Sequence, residues 1–401
     1  MKPLRAEDDP EVLGPFQLLA RLGAGGMGIA YAARRMPLRG MSEELAATYH
    51  LVESDDAHPD GPGEPGGGAV ERLVVVKRIQ PSLLGESHAR ERFGREIDAV
   101  QAVVGPRVPE VLAADPGAAV PWFAMEYIAG PSLHTLVKET GPLAPGPSGA
   151  LGLALVEALR AIHGAGLLHR DLKPGNVVLG PEGPVVLDFG LAVLSERRTD
   201  QAITRSGTSL GTYPYMPLEQ MRDARSVKEP ADVYGLGATL FFALTGRPPY
   251  EMMPLASEPV WDGVDLPFLP LLAKILVPRP EARPDLDAVE ESLLVLLADA
   301  GLSPESAAER LAGVVAAADL APALPPGLPV DRPDPAVRAQ RALDAGALPD
   351  APWAAGAGTD PIDDPGFHGL VDFDETGDSG GPADTGGGPA ILPPTSPDPF
   401  P

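Results

Sequence analysis

The first 130 residues contain short apolar runs separated by glycine, proline and polar residues, a pattern that predicts strands. The predicted strands cover residues 17–22, 29–33, 73–79, 108–114 and 122–127. The third is the richest in β-branched residues and carries one cation, Lys77, inside the run. Between the third and fourth strands, Phe93, Ile97 and Val100 recur on one helical face. This part of the chain is therefore predicted to be a sheet with one amphipathic helix.

The hydrophobic period changes to that of helices from residue 149 onward. Helices are predicted at residues 149–163, 231–244, 286–297 and 303–318, and the second of them is apolar on all sides. Between the first two, apolar runs at 177–179 and 185–187 flank a Gly-Pro-Glu-Gly-Pro turn. These two runs predict a β-hairpin within a mainly helical second half.

Two segments show neither the hydrophobic period of strands nor that of helices. Residues 34–70 form an acidic, Gly/Pro-rich insertion with a short predicted helix at 42–50, and we expect disorder at a hairpin tip, with a docking role as the alternative. From about residue 320, Pro, Gly, Ala and Asp dominate, and residues 331–401 hold thirteen acids and three arginines. Such a tail cannot bury a core and is predicted to be disordered. Its apolar patch at 367–373 is the one alternative candidate for a short binding motif.

Composition and charge argue against some classes of binding partner. The formal net charge of −25 argues against nucleic acid or an anionic membrane as the main partner, because both require clustered Lys and Arg. The chain has no cysteine, which excludes disulfides, thiolate metal sites and cysteine nucleophiles and suits a reducing cytoplasm. The N-terminus does not resemble a signal peptide, and no apolar run reaches the roughly 18 residues of a membrane span. We expect a cytoplasmic protein without a membrane span.

The polar residues at the predicted hairpin carry the candidate chemistry. Asp171 and Asn176 precede its first strand and Asp188 follows its second, within the sequence LHRDLKPGNVVLGPEGPVVLDFG. Far upstream, Gly23, Gly25 and Gly28 satisfy G-x-G-x-x-G, in which glycine lets backbone N–H groups approach phosphate oxygens. The same spacing occurs in dinucleotide-binding domains, but there a helix follows, whereas a strand is predicted here.

These motifs together resemble the Hanks-type, eukaryotic-like serine/threonine protein kinases of bacteria. The glycine loop, VVVK, RFGRE, HRDLKPGN, DFG, ADVYGLG and RPD occur in that family's order. The resemblance implies an α+β, bilobal fold with a small β-rich N-lobe and a mostly helical C-lobe. It covers residues 12–299, with 34–70 as an N-lobe insertion, 300–320 as an additional helix and 321–401 as a disordered tail.

The resemblance implies an ATP site between the lobes. Lys77 aligns the α- and β-phosphates and is held by Glu96, with Glu91 as the rival partner; the alternative is a solvent-facing lysine of an edge strand. Backbone groups of the hinge after the gatekeeper Met125 pair with adenine. The implied ATP-binding residues are Leu22, Gly23, Ala24, Gly25, Gly26, Met27, Gly28, Ala30, Lys77, Glu96, Glu126 and Ile128. Ala30 replaces the valine that is usual over the adenine.

The catalytic roles are also implied by the family motifs. Asp171 accepts the proton of the substrate hydroxyl, and Lys173 approaches the γ-phosphate. Asn176 and Asp188 are the oxygen ligands of Mg²⁺, with Mn²⁺ as an alternative ion. His169 is interpreted as a structural residue of the loop, although a general base is the competing reading.

In the segment after residue 190, Thr204 and Ser206 are the candidate autophosphorylation sites, and a phosphate there would pair with Arg170. The rival hydroxyl residues are Thr199, Thr208 and Ser209.

This segment ends in Pro217-Leu218-Glu219 where the family has Ala-Pro-Glu, a departure that bears on substrate docking. Arg283 is the expected partner of Glu219, and Asp232 is expected to reach the backbone of the HRD loop.

The resemblance predicts an enzyme that transfers the γ-phosphoryl group of ATP to serine or threonine hydroxyls of proteins, itself included, in bacterial signalling. Its partners are then protein substrates and a second copy for trans-autophosphorylation. A non-catalytic scaffold of the same fold and a small-molecule phosphotransferase are the two competing hypotheses.

Overall fold

The structure is a computed structural model of the 401-residue chain. It describes residues 1–5, 7–25, 28–36, 73–79, 97, 100–189, 213–223, 226–250 and 259–323. The predictions for the body of the 34–70 insertion, its short helix and the acidic tail lie outside these residues. In the part of the chain that is described, no helix has the length and apolar character needed to cross a membrane.

The N-terminal half forms a six-stranded antiparallel sheet in the order β1-β2-β3-β4-β6-β5. Its strands are β1 (Val12–Leu13), β2 (Phe16–Gly25), β3 (Gly28–Arg35), β4 (Leu73–Ile79), β5 (Val111–Asp115) and β6 (Trp122–Glu126). All five predicted strands are present, and the short edge strand β1 was not predicted. The strand after the glycine motif pairs antiparallel with the strand before it, which excludes the dinucleotide-binding turn.

One wrongly predicted strand boundary is the start of β5. The sequence predicts it to begin at residue 108, but it begins at Val111. Val108 is fully buried, and its side chain belongs to the core of the helical half instead of the sheet. Pro109 follows directly and lacks the N–H group that a ladder needs. The apolar pattern therefore predicted the burial of Val108 correctly, but the residue was wrongly assigned to strand β5.

The C-terminal half is helical around one two-stranded sheet. Its helices are α1 (Leu133–Thr140), α2 (Pro145–Gly164), α3 (Leu218–Arg222), α4 (Pro230–Thr245), α5 (Leu269–Ile275), α6 (Leu286–Asp299) and α7 (Pro304–Ala318). The hairpin strands β7 (Val177–Gly180) and β8 (Gly183–Val186) pair antiparallel, as predicted. The four long helices were predicted, whereas α1, α3 and α5 were not.

One hydrophobic core unites the helical half. Helix α4 is buried on nearly all sides, and α2 packs against it and against α6 and α7. Ala307 and Leu311 of α7 are buried in the same core as Leu293 of α6. Two further clusters cover the two faces of the six-stranded sheet, and Ile97, which is helical, contributes to one of them. The predicted division into a small β-rich lobe and a larger helical lobe is confirmed.

A short segment after β6 joins the two halves. Leu179 of β7 donates its backbone N–H to the carbonyl of Pro131 at 2.9 Å. Gly130 lies so close to β7 that a Cβ atom there would come within 2.0 Å of the carbonyl oxygen of Leu179. Because only glycine fits, this crossing fixes the hairpin that carries the candidate catalytic residues directly beneath the end of the sheet.

Candidate active site

The glycine motif forms the turn of the β2–β3 hairpin. Gly25 pairs with Gly28, and Gly26 and Met27 between them lie outside the described residues. Gly28 is required by the fold, because an added Cβ would come within 2.0 Å of the carbonyl oxygen of Arg78 on β4. Gly23 is different, since an added Cβ would meet no atom of the described residues within 4 Å. Its glycine is thus not explained by packing and fits a backbone that a phosphate must approach closely.

Lys77 is a buried cation in the middle of the sheet. It lies on β4 opposite Ala30 of β3 and Phe123 of β6, so it is not on an edge strand. Its side chain is 8% exposed, and Nζ contacts Oδ1 of Asp188 at 2.6 Å. The alternative of a solvent-facing lysine is therefore wrong. The predicted partner Glu96 and its rival Glu91 lie outside the described residues.

Asp188 follows strand β8 and has a left-handed backbone with φ of 62°. This conformation is uncommon for a residue other than glycine and is typical of functional sites. Burial by itself raises the pKa of Asp188, but the charge of Lys77 and its hydrogen bond outweigh burial and hold that pKa below its usual range. Asp188 is therefore a carboxylate at neutral pH, and its side chain is still 37% exposed to the cleft.

Asp171 is held by two neighbours through one of its carboxylate oxygens. Oδ2 accepts hydrogen bonds from Nζ of Lys173 at 2.6 Å and from Nδ2 of Asn176 at 3.1 Å. The other oxygen, Oδ1, is buried and has no hydrogen-bond partner among the described residues. A buried carboxylate oxygen without a donor is costly, which suits a position where a substrate hydroxyl donates its proton. Lys173 contacts Asp171 directly here, in addition to its predicted proximity to the γ-phosphate.

The two predicted metal ligands are aligned by the β7–β8 hairpin. Asn176 ends a short 3₁₀ turn (Pro174–Asn176), and its carbonyl accepts the N–H of Leu187, next to Asp188. The Asn176 amide nitrogen bonds the backbone carbonyl of Asp171 at 2.8 Å, which turns the amide oxygen away from that residue. Within the described residues, no group of three or more acidic, His or Cys side chains could hold a metal ion. One carboxylate and one amide oxygen suit Mg²⁺, which binds few protein ligands and completes its shell with phosphates and water.

His169 supports the loop and does not face the reacting groups. It is fully buried, its Nε2 lies 3.1 Å from the carbonyl of Leu187, and its Nδ1 accepts the N–H of Asp171. Burial lowers the pKa of His169, so the ring is neutral and already uses both nitrogens. These contacts support the structural interpretation over a general base.

Asp232 on α4 organises the same loop from below, as predicted. Its carboxylate accepts the N–H of His169 at 2.8 Å and the N–H of Arg170 at 2.7 Å. These two bonds fix a strained turn, since Arg170 has φ of 64°. His163 of α2 also contacts Asp232 at 2.8 Å, a partner that the sequence analysis did not identify.

The hinge residues lie at the exit of β6. Glu126 uses its side chain within the protein, because its Oε2 accepts the N–H of Glu110 at 3.0 Å. Ile128 is buried, and its side chain faces Gly180 of β7 so closely that a Cβ on Gly180 would meet it at 2.7 Å. With both side chains occupied in this way, the backbone is the part of the hinge that is suited to an adenine edge.

Below the catalytic loop, an ion pair supports the site. Glu219 of α3 forms a two-pronged ion pair with Arg283, with one N–O distance of 3.1 Å. Arg283 has no exposed side-chain surface and lies over the ring of Tyr234. Gln220, which the sequence analysis missed, donates to the carbonyl of Arg170 at 2.6 Å.

The predicted Glu219–Arg283 pair is thus confirmed despite the altered Pro217-Leu218 dipeptide. The phosphosite candidates Thr204 and Ser206 and their rivals lie outside the described residues.

Comparison with protein families agrees with this geometry. The family model described as protein kinase domain matches residues 69–292. The chain is 36% identical over 287 residues to the serine/threonine-protein kinase AfsK of Streptomyces coelicolor, a match that covers 70% of this chain and 31% of the relative. It is 39% identical over 297 residues to the probable serine/threonine-protein kinase PkwA of Thermomonospora curvata, covering 72% of this chain and 34% of that one. The chain therefore spans about a third of the length of these relatives.

Among solved structures, the chain is similar in fold to the kinase domain of PknI from Mycobacterium tuberculosis. The TM-score is 0.51 at 23% sequence identity, and the match covers 71% of this chain and 97% of that domain. At this identity the likeness bears on the fold alone.

Proposed function

Because the chain belongs to the protein kinase family, we propose that it transfers the γ-phosphoryl group of ATP to serine or threonine hydroxyls of proteins. The observation that carries the proposal is the state of Asp171. One of its oxygens is held by Lys173 and Asn176, while the other is buried and has no protein donor among the described residues. The relatives named as serine/threonine-protein kinases favour this acceptor class.

In the proposed mechanism, each residue positions a group or neutralises charge, because phosphoryl transfer has a loose, anionic transition state. Asp171 accepts the hydrogen bond of the acceptor hydroxyl at Oδ1 and orients it for in-line attack. Lys173, 2.6 Å from Oδ2, places a positive charge beside the carboxylate and the transferred phosphoryl group. Lys77 neutralises phosphate oxygens from β4, and the backbone around Gly23, on β2 of the same sheet, provides N–H groups to them.

Asn176 and Asp188 are the residues that would hold the divalent ion, Mg²⁺ or Mn²⁺, which when bound neutralises charge on the phosphates. The low pKa of Asp188 keeps this ligand ionised at physiological pH. We also propose trans-autophosphorylation between two copies at Thr204 or Ser206. The cysteine-free composition fits the reducing cytoplasm, where we place the activity.

The experiment uses the purified full chain with labelled ATP, Mg²⁺ and a basic protein acceptor. Asp171→Asn should lower phosphotransfer by about 10²-fold or more, because the amide cannot accept the hydroxyl proton. Asp262→Asn is the matched control, since Asp262 is exposed and makes none of the site contacts described above, so its variant should retain wild-type activity. Equal transfer by wild type and Asp171→Asn would contradict the assigned base.

The same assay separates the competing functions. A non-catalytic scaffold predicts nucleotide binding without turnover by the wild-type chain. A small-molecule phosphotransferase predicts transfer to an aminoglycoside or sugar and none to protein. Mapping of phosphorylated residues after incubation with ATP then tests the two proposed autophosphorylation sites.

A further inference from the structure

A buried polar cluster lies on the sheet at the base of the glycine hairpin, outside the residues that the family model matches. Oδ1 of Asp9 accepts hydrogen bonds from Nη2 of Arg21 and from the hydroxyl of Tyr31, both at 2.7 Å. Asp9 is 8% exposed, Arg21 is 9% exposed and Tyr31 is fully buried. We refer to these three residues as the Asp9 clasp.

The clasp connects both legs of the hairpin. Arg21 lies on β2 and Tyr31 lies opposite it on β3, so a single carboxylate oxygen bonds a cross-strand pair. The regular pairing of the two strands is interrupted immediately afterwards, between Arg21 and Gly23. The clasp thus lies directly before this irregularity, beyond which the two strands pair again from Gly23–Ala30 to Gly25–Gly28.

The N-terminal segment anchors the clasp to the sheet. Lys2 and Arg21 exchange two backbone hydrogen bonds, at 2.9 and 2.8 Å, along the outer edge of β2. Strand β1 covers that edge only as far as Phe16 and Gln17. The backbone N–H of Arg5 donates to Oδ2 of Asp9 at 2.8 Å, so the second carboxylate oxygen is also held.

We propose that Asp9 is a positioning residue for the nucleotide. It holds the two strands of the glycine hairpin, β2 and β3, in the position in which their backbone contacts the phosphates. This inference rests on the proposed nucleotide-binding function of the hairpin. On the outer side of β2 the strand β1 reaches only as far as Gln17, so an anchor further along this leg reduces the freedom that nucleotide binding would have to remove. Asp9 acts through Arg21 and Tyr31 and does not touch the nucleotide.

The charge state of Asp9 agrees with this role. Burial alone raises its pKa, but the hydrogen bonds from Arg5, Tyr31 and Arg21 and the charge of Arg21 outweigh burial and lower that pKa to about 2. The carboxylate is thus ionised across the physiological range, and an amide cannot supply its charge. In Asp9→Asn the charge opposite Arg21 is lost, and the NH2 group that replaces one carboxylate oxygen faces a donor in either orientation, the N–H of Arg5 or the groups of Arg21 and Tyr31.

The test measures binding of Mg²⁺·ATP by titration and steady-state kinetics on the full chain. Asp9→Asn should weaken nucleotide binding and raise the KM for ATP roughly three- to tenfold, while the KM for the protein acceptor stays unchanged. Tyr31→Phe keeps the ring and the Asp9–Arg21 ion pair and removes one of the two bonds, so it should give a smaller shift in the same direction.

Asp8→Asn is the matched control. It removes the same charge one residue away. The side chain of Asp8 is 61% exposed, and its carboxylate makes one long contact, at 3.9 Å between Oδ2 and Nη1 of Arg5. Its affinity should equal that of wild type. Wild-type affinity in Asp9→Asn and Tyr31→Phe, or a parallel rise in the KM for the acceptor, would overturn the positioning role while leaving the proposed function intact. Failure of the wild-type chain to bind nucleotide would instead contradict the proposed function, and the role of the clasp with it.

Discussion

At the scale of single residues, the site depends on contacts between groups that are distant in sequence. Lys77 and Asp188 are separated by 111 positions, yet their charged atoms lie 2.6 Å apart. Sequence motifs identified both residues and their chemistry, but the partner predicted for Lys77 was Glu96. The direct contact could not be predicted, because it depends on how the sheet and the helical half close on one another.

The first prediction concerns this pair. Lys77→Met should lower kcat/KM for ATP by about 10²- to 10³-fold, because a fixed positive charge on the phosphates is lost. It should also raise the pKa of Asp188, since burial then acts with less opposition. Binding of Mg²⁺·nucleotide by this variant should therefore weaken as the pH falls through a range in which wild-type binding is constant. Kinetics and titrations at several pH values check both effects.

Lys274→Met is the matched control for that prediction, because Lys274 is an exposed residue of α5 and remote from the cleft. It should preserve activity and the pH dependence. Wild-type activity in Lys77→Met would show that the lysine does not act on the nucleotide.

At the scale of elements, the length of a helix decided whether it could be predicted. Helices α2, α4, α6 and α7 each span 14 or more residues, enough for several turns of a hydrophobic stripe. Helices α1, α3 and α5 have 8, 5 and 7 residues. Helices this short are marginal alone and are stabilised by tertiary packing, so their local pattern carries little signal.

The glycine hairpin gives a prediction at this scale, because its two ends differ in what they contact. Gly28→Ala should destabilise the protein by about 1–3 kcal/mol, since the new methyl group would overlap the carbonyl of Arg78. Gly23→Ala should change the free energy of unfolding by less than about 0.5 kcal/mol, because no atom of the described residues lies within 4 Å of the new methyl group. Gly23→Ala should nevertheless weaken nucleotide binding.

Urea unfolding measures the stability of the two variants, and titration measures their nucleotide binding. Equal losses of stability in both would contradict the structural difference between the two glycines. Unchanged nucleotide binding in Gly23→Ala would contradict the phosphate role of that turn.

At the scale of the whole molecule, the folded unit includes segments that the family match does not. The match begins at residue 69, yet β3 pairs in register with β4 from Arg34–Leu73 to Gly28–Ile79, and β2 pairs with β3. At the other end, α7 lies beyond the match but shares the core of the helical half. The boundaries of the kinase domain that were predicted from sequence, residues 12 and 299, stay predictions. The segments just outside them, before residue 12 and after residue 299, both make buried contacts with the rest of the fold.

The prediction at this scale tests whether α7 is part of the cooperative fold. Leu311→Ala should destabilise the helical half by about 2–4 kcal/mol, because Leu311 is 3% exposed and its loss leaves a cavity against α2. Leu294→Ala, which removes the same atoms from a residue that is 41% exposed, should cost less than about 1 kcal/mol. Urea unfolding followed by circular dichroism measures both, and similar values would show that α7 is an independent appendage.

The sequence by itself determined the fold class, the order of the long elements and the identity of Lys77, Asp171, Asn176 and Asp188. It could do so because hydrophobic period and phosphate chemistry are encoded locally, in runs and motifs of a few residues. Only the tertiary structure decided which of these groups touch, that Oδ1 of Asp171 is left without a protein donor in the described part of the chain, and that Asp9 joins both legs of the glycine hairpin. Those facts depend on the packing of distant segments, and no local pattern contains that information.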